Sequence, residues 1–509
     1  MKLNRRDLLR AAAAMAWPLA QHGTAQSGSA QQGSARPGKR PNILFMIADD
    51  WGRGHAGAYG TNWIKTPAFD RVAREGVLFT NCFTSNPKCS PSRATILTGR
   101  NSWQLKEAIN HFSIFPNDFA VYPTLLEKAG YHVGLTGKGW GPGDFRSTGW
   151  PHNPAGHEYQ KRTLKPPYQG ISNRDYAGNF EDFLAARPKD TPFCFWLGTQ
   201  EPHRAYEMGS GERAGRNPSE VVLPKYYPNN RVIRNDMLDY ALEVEWMDQH
   251  FGKALAQLER IGELDNTLIV VTSDHGMPFP RVKGQIYEDG FHIPLAVRWG
   301  NTFQGGRVVD DFINFRDLAP TFLEAAGMKP APTMTGKSFL DVLKSNRAGV
   351  VDASRDFMII CKERHDLGRP NDQGYPVRAI RTREYLYVRN YEPDRWPVGN
   401  PETGYRNCDA SPTKDFLTSS FNEYYRLSFG KRPAEELYDL KADAECVRNL
   451  ATDLNLAATK RKLQAKMNET LRAEGDPRAL GQAEFFDTIQ YTGPRPHAYD
   501  EWLKHQRAQ

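Results

Sequence analysis

The chain has 509 residues, enough to bury a large core and to divide into about two domains. Hydrophobic residues make up 39% and charged residues 25%, the balance of a globular protein rather than a disordered or fibrous one. A formal net charge of +7, with no block of about five or six basic residues, argues against nucleic acid as the partner. The six cysteines (82, 89, 194, 361, 408, 446) lack the spacing of a zinc ribbon or a small disulfide scaffold; export would permit one or two bridges.

The N-terminus reads Asn4-Arg5-Arg6-Asp7-Leu8-Leu9, then Arg10 and an apolar run over 11–20. It resembles a twin-arginine export signal, with an apolar stretch too short for a permanent anchor. Gly23-Thr24-Ala25 suits cleavage, and 26–39 is a Gly/Ser/Gln/Ala-rich tether. Residues 1–39 are therefore set apart from the fold, and the Tat machinery is expected to deliver the protein to the periplasm or beyond. The rest is expected to divide into a catalytic domain over 40–375 and an α+β subdomain over 376–509.

Asn42-Ile43-Leu44-Phe45-Met46-Ile47-Ala48 is a continuous apolar run, read as a fully buried strand, and it ends on Asp49-Asp50. Two adjacent carboxylates repel each other unless a cation lies between them. Cys89-Ser90-Pro91-Ser92-Arg93-Ala94-Thr95-Ile96-Leu97-Thr98-Gly99-Arg100 predicts a short helix closed by Gly99. Cys89 then sits among unpaired N–H groups that favour anions and lower a thiol pKa, with Arg93 one turn on; a buried structural cysteine is the alternative.

Three more buried strands follow at 131–136, 192–197 and 268–272, ending on Gly137-Lys138, Glu201-Pro202-His203 and Ser273-Asp274-His275. Helical patterns lie between them, over 123–129 and along Met237, Tyr240, Ala241, Val244, Met247, Phe251, Ala254 and Leu258. The alternation predicts an α/β fold with a mainly parallel sheet covered by helices, its ligand site at the strand ends. Beyond about residue 375, 378–381 and 385–389 read as a hairpin, 392–412 as a long functional loop, and Leu456, Leu463, Met467 and Leu471 as one side of a helix closed by Gly475. A smaller antiparallel sheet with a packed helix is expected there.

Cys89-x-Pro-Ser-Arg93 followed by Leu97-Thr98-Gly99-Arg100 resembles the signature of type I, formylglycine-dependent sulfatases of the alkaline phosphatase superfamily. Ile-Ala-Asp49-Asp50, Thr136-Gly137-Lys138, Pro202-His203, Thr272-Ser273-Asp274-His275-Gly276 and Lys283 in Lys283-Gly284-Gln285 are similar to the family's other motifs, in order, over about 40–450. The resemblance implies that Cys89 is the precursor of formylglycine, made by the formylglycine-generating enzyme. It also implies that the aldehyde hydrate attacks sulfur and that His203 protonates the leaving group.

The chemistry of the residues agrees with this reading. Asp49, Asp50, Asp274 and His275, with the modified Cys89, suit one divalent cation; the oxygen-rich set favours Ca²⁺, with Mg²⁺ next, over Zn²⁺. Arg93, Lys138 and Lys283 suit the sulfate oxygens. One departure is Trp140, which stands where many family members carry a histidine; His111, His152 and His157 are the candidates to replace it.

Asn86-Pro-Lys-Cys89, His111-Phe-Ser-Ile-Phe, Glu201-Pro-His203-Arg204, Ser273-Asp-His-Gly-Met-Pro-Phe-Pro280 and Glu435-Glu-Leu-Tyr-Asp-Leu440 are most similar to the heparan N-sulfatases (N-sulfoglucosamine sulfohydrolases). That implies a sulfated saccharide substrate with its scissile sulfate on the nitrogen of glucosamine. Arg204, His365 and Asp366 are candidate sugar contacts. The alternatives are a carbohydrate O-sulfatase, such as one for 6-O-sulfoglucosamine, a phosphodiesterase or phosphonate hydrolase of the same superfamily, and a non-catalytic glycan-binding protein. Oligomeric state is not legible.

Overall fold

The computed structural model describes residues 40–494 and 497–508. The expected export signal and tether therefore lie outside the described residues. The seven residues of strand β1 (Asn42–Ala48) are all buried, as a central strand covered on both faces requires. In chain order the large sheet then takes β2 (Val77–Phe83), β3 (His132–Gly137), β4 (His157–Glu158), β5 (Phe193–Gly198), β6 (Thr267–Ser273), β7 (His292–Arg298) and β8 (Arg307–Asn314). Their spatial order is β8-β2-β7-β6-β1-β5-β3-β4.

Strand β7 runs antiparallel to both its neighbours, and every other adjacent pair in this sheet is parallel. The mainly parallel sheet is thus as expected. Strands β2, β7 and β8 were not legible as strands, because Thr80 and Asn81, Pro294, and Asp310 and Asp311 respectively interrupt their apolar runs.

Alternate side chains of β1 point into different layers. Leu44 and Met46 pack with helices α1 (Pro67–Glu75), α4 (Tyr176–Ala186) and the long α5 (Arg231–Arg260). Ile43, Phe45 and Ile47 face α2 (Cys89–Thr98), α3 (Tyr122–Lys128) and α6 (Leu318–Ala325). Each such buried aliphatic or aromatic side chain contributes about 1.5–3 kcal/mol, so the central strand is anchored from both sides. Its tip, with Asp49 and Asp50, is held correspondingly firmly.

The second sheet is antiparallel, in the order β9 (Phe357–Lys362), β10 (Val377–Thr382), β11 (Tyr385–Asn390) and β12 (Glu435–Asp439). Its first strand lies upstream of the change in sequence texture near 375. Met358, Ile360 and Ala379 pack on Phe83, Phe291 and Phe312 of the larger layer. On the other face Ile359, Ile380 and Tyr387 meet Leu463, Met467 and Leu471 of α7 (Ala457–Ala473), the helix predicted from those same residues. All six cysteines are buried and unpaired, so the one or two bridges that export would permit are not formed.

Candidate functional site

Four strand tips and one helix start meet on one side of the large sheet. Asp49 and Asp50 follow β1, Lys138 follows β3, His203 lies in the turn after β5, and Asp274 and His275 follow β6. Cys89 is the first residue of α2, whose N-cap is Lys88 and whose end is set by Gly99 in the left-handed region (φ 63°), where glycine carries no side-chain penalty. Ligand atoms of Asp49, Cys89, Asp274 and His275 all lie within 4.8 Å of one another, and all four residues are buried. Cys89 Sγ is 3.3 Å from His275 Nε2.

A web of charge-assisted bonds holds this cluster. Arg93 donates from Nε to Asp274 Oδ2 at 2.9 Å and from Nη1 to the Lys138 carbonyl at 2.7 Å, and Nη2 lies 3.4 Å from Asp49 Oδ1. Lys138 Nζ donates to Asp49 Oδ2 at 2.5 Å. Lys283 Nζ reaches Asp50 Oδ2 at 2.6 Å and Asp409 Oδ2 at 2.9 Å. Asp50 takes a left-handed backbone (φ 75°), a conformation Asp tolerates better than most residues, and its N–H donates to Asp274 Oδ1 at 3.1 Å.

The donor set fits a cation. His275 Nδ1 donates to the Gly276 carbonyl at 3.0 Å, which leaves the Nε2 lone pair free to ligate. That nitrogen lies 3.0 Å from Asp50 Oδ1, a buried oxygen that accepts no hydrogen bond. Two lone-pair atoms so close repel unless a positive charge lies between them, as a metal ion or a proton. Asp49, Asp50, Asp274 and His275 would hold a divalent ion. The mostly oxygen donors favour a hard ion.

Electrostatics divides the three central groups. Burial pushes the Asp49 carboxyl up, but Lys138 and Arg93 outweigh it and hold it well below the usual carboxylate range. Burial raises Asp274, with the neighbouring Asp49 adding to the rise against the pull of His275 and Arg93. Burial, then Asp49, pushes the Cys89 thiol well above its ordinary range. The expectation that a helix start lowers this thiol is therefore corrected: burial, and after it the Asp49 carboxylate, outweighs the helix N–H groups. An unmodified Cys89 is a neutral thiol, unsuited to act as a thiolate nucleophile.

A cavity of about 650 Å³ opens onto the cluster, lined by Asp49, Cys89, Lys138, His203 and Lys283. His203 Nδ1 donates to the Arg204 carbonyl at 2.5 Å, so Nε2 faces the cavity, 3.9 Å from Asp50 Oδ2. Arg204 also lines the cavity, yet its guanidinium is engaged: Nη1 and Nη2 bond the two oxygens of Asp236 at 2.7 Å each, and Nε donates to the Pro278 carbonyl. Asp366 lies in the cavity wall between Lys88 Nζ at 2.8 Å and His111 Nδ1 at 2.7 Å. His365, in contrast, is buried behind the wall, its Nε2 2.7 Å from Asn86 Oδ1, and does not line the cavity.

Trp140 is 3% exposed and packs on Phe115 and Phe145 as core, not as cavity lining. Of the three histidines considered in place of the family residue, only His111 lines the cavity. His152 and His157 lie against each other, rings tilted by 41° with centroids 4.0 Å apart, beside Glu127. Lys88, Arg406, Asp409, Glu201 and Glu243 also line the cavity and were not singled out from sequence. Two signals were present: Lys88 adjoins Cys89 in the signature, and Asp409 lies in the loop whose length alone marked it as functional.

Comparison with known proteins agrees with this geometry. Residues 41–328 match the sulfatase family, and residues 279–398 match the family described as N-sulphoglucosamine sulphohydrolase, C-terminal. The chain is 29% identical over 446 residues to an ulvan-active sulfatase of Formosa agariphila, covering 86% of this chain and 81% of the relative. It is 29% identical over 473 residues to human N-sulphoglucosamine sulphohydrolase, covering 82% of this chain and 87% of the relative. A solved structure of a protein in complex with its substrate D-glucosamine-2-N,6-O-disulfate superposes with a TM-score of 0.63 at 23% identity, covering 86% of this chain and 99% of that one. With its family match spanning more than half the chain, and with the cysteine, carboxylates and lysines of that family gathered around one cavity, the protein belongs to the sulfatases.

Proposed function

We propose that this sulfatase removes the N-sulfate of glucosamine from heparin or heparan sulfate fragments. The observation that carries the reading is the match of residues 279–398 to the N-sulphoglucosamine sulphohydrolase C-terminal family, a segment that contains Lys283 and Asp366. In this reading Cys89, once converted to formylglycine, would supply a hydroxyl nucleophile for sulfur, and its second hydroxyl would allow the aldehyde to be restored as sulfate leaves. A divalent cation, Ca²⁺ in this proposal, supplies positive charge for the sulfate oxygens.

The chain's own residues do the rest. Arg93 and Lys138 balance Asp49 and Asp274, while Lys283 balances Asp50 and Asp409. The three cations are one short of the four carboxylates, so the side chains alone leave no net positive charge for a sulfate, and a divalent ion would provide it. Lys138 and Lys283 both reach the cavity surface, where they can bond sulfate oxygens. His203, held by the Arg204 carbonyl with Nε2 towards the cavity, protonates the departing nitrogen. Asp366, flanked by Lys88 and His111, grips the sugar. Export through the Tat machinery and maturation by the formylglycine-generating enzyme belong to the same proposal.

The test is sulfate release from N-sulfoglucosamine against 6-O-sulfoglucosamine, beside phosphate release from a phosphonate monoester, on protein whose Cys89 peptide has been weighed. A preference of about 10-fold or more for the N-sulfate is expected, within the range a single pocket achieves. The ulvan-active relative is as similar as the human sulphohydrolase, so overall identity does not choose the sugar. Faster release from the 6-O-sulfate would replace the proposal with the O-sulfatase reading.

A further inference from the structure

A second group of metal-ligating side chains lies outside the cavity already described, at the edge of the large sheet. Glu127 belongs to the last turn of α3, His152 to the loop that follows β3, and His157 to the edge strand β4. One ligand atom from each lies within 4.8 Å of the others. His157 Nε2 is 2.7 Å from Glu127 Oε1, and the two imidazoles face each other at 4.0 Å. His152 Nδ1 donates to the Asn153 carbonyl at 2.9 Å, so its Nε2 lone pair is unprotonated and free to ligate. None of the three lines the cavity.

We propose that Glu127, His152 and His157 form a second metal site, for a borderline transition ion of the Zn²⁺ type. Two imidazoles and one carboxylate are the donors such an ion takes, unlike the oxygen-rich set beside Cys89. Ligands on one tetrahedral zinc lie about 3.4 Å apart, so small rotations of these half-exposed side chains complete the set, with water in the fourth position. The ion displaces the proton of the His157–Glu127 hydrogen bond, which leaves to solvent.

Such an ion ties together a helix end, a loop and an edge strand. The loop matters for the catalytic wall. Asn153, next to His152, accepts from the Trp140 N–H and donates to the Trp140 carbonyl, both at 2.9 Å, and Pro142 just beyond accepts from Ser90 beside Cys89. The metal is therefore a structural staple for the segment that carries Lys138 and Pro142.

The test is calorimetric titration of Zn²⁺ into the full-length protein in Ca²⁺-containing buffer, on the wild type, on His152→Ala/His157→Ala and on Asp274→Ala, with melting curves for each. The Asp274 variant separates this site from the cluster beside Cys89. One equivalent of Zn²⁺ is expected to bind to the wild type and to Asp274→Ala, raising the melting temperature of both. The double histidine variant should lose that equivalent and its thermal shift while keeping its sulfatase activity. Glu127→Gln should weaken binding on the order of 10–100-fold. Equal stoichiometry in the double histidine variant, or loss of the equivalent in Asp274→Ala, would overturn the proposal.

Discussion

The two walls of the cavity are built in different ways. The inner wall is Asp49 backed by Asp50, Arg93, Asp274 and His275, fully buried residues on strand tips and one helix, linked by hydrogen bonds and ion pairs. The outer wall, with Lys88, His111, Asp366, Arg406 and Asp409, is assembled mainly from loops far apart in the chain. A site that must hold like charges together needs rigid neighbours, because each buried charge left without its partner is costly. A site that selects a sugar needs shape, which loops supply at little cost to the core. The contrast assigns chemistry to the inner wall and selectivity to the outer.

Substitutions test that division, from the largest effect to the smallest. Cys89→Ala should lower sulfate release on the order of 10⁴-fold or more, with thermal unfolding close to wild type, since the nucleophile is lost but the core is not. Chelation of divalent cations should abolish turnover and lower the melting temperature, because Asp49, Asp50 and Asp274 are then left crowded; added Ca²⁺ should restore both. His203→Ala should lower kcat about 10²–10⁴-fold on N-sulfoglucosamine but much less on an aryl sulfate, whose leaving group needs no proton.

Effects on the outer wall should be smaller and of another kind. Asp366→Asn should raise KM about 10-fold while leaving kcat on an aryl sulfate nearly unchanged, as expected for lost ground-state binding. Equal losses of kcat for both substrates would move Asp366 into the chemical step. His111 gives the mildest test. Burial, opposed by Asp366, lowers its pKa to about 4, so it stays neutral in the folded protein where an unfolded chain would take up a proton. Stability from this group is therefore lost as pH falls from about 6.5 towards 4. His111→Gln should flatten the melting temperature across that window and leave the pH profile of turnover above pH 7 unchanged.

The inner wall was largely legible in the sequence. The run Asn42–Ala48 read as a buried strand, and the two acids behind it as a pair that a positive charge would relieve. The signature from Cys89 to Arg100 placed α2 and its Gly99 terminus. Of the outer wall only His111 and Asp366 were singled out, and its pairings were not legible: Lys88 meets Asp366, and Lys283 meets Asp409, across stretches of chain with no shared periodicity. Arg204 and His365 show the same limit. Both are chemically suited to a sugar, but one is engaged by Asp236 and the other turns towards Asn86. The thiol of Cys89 shows it for electrostatics, since its burial and then its neighbours, and not its helix position, decide its charge.

What the sequence determined by itself was the alternation of buried strands and helices, the type of residue at each strand tip, and the signature around Cys89. Those are local properties, written in apolar periodicity and short motifs. Only the tertiary structure decided which charges neutralise which, that Trp140 is core, that β7 runs against its neighbours, and that His152 and His157 meet Glu127. Each of these depends on side chains brought together by packing, and a distance in space is not encoded in any one stretch of chain.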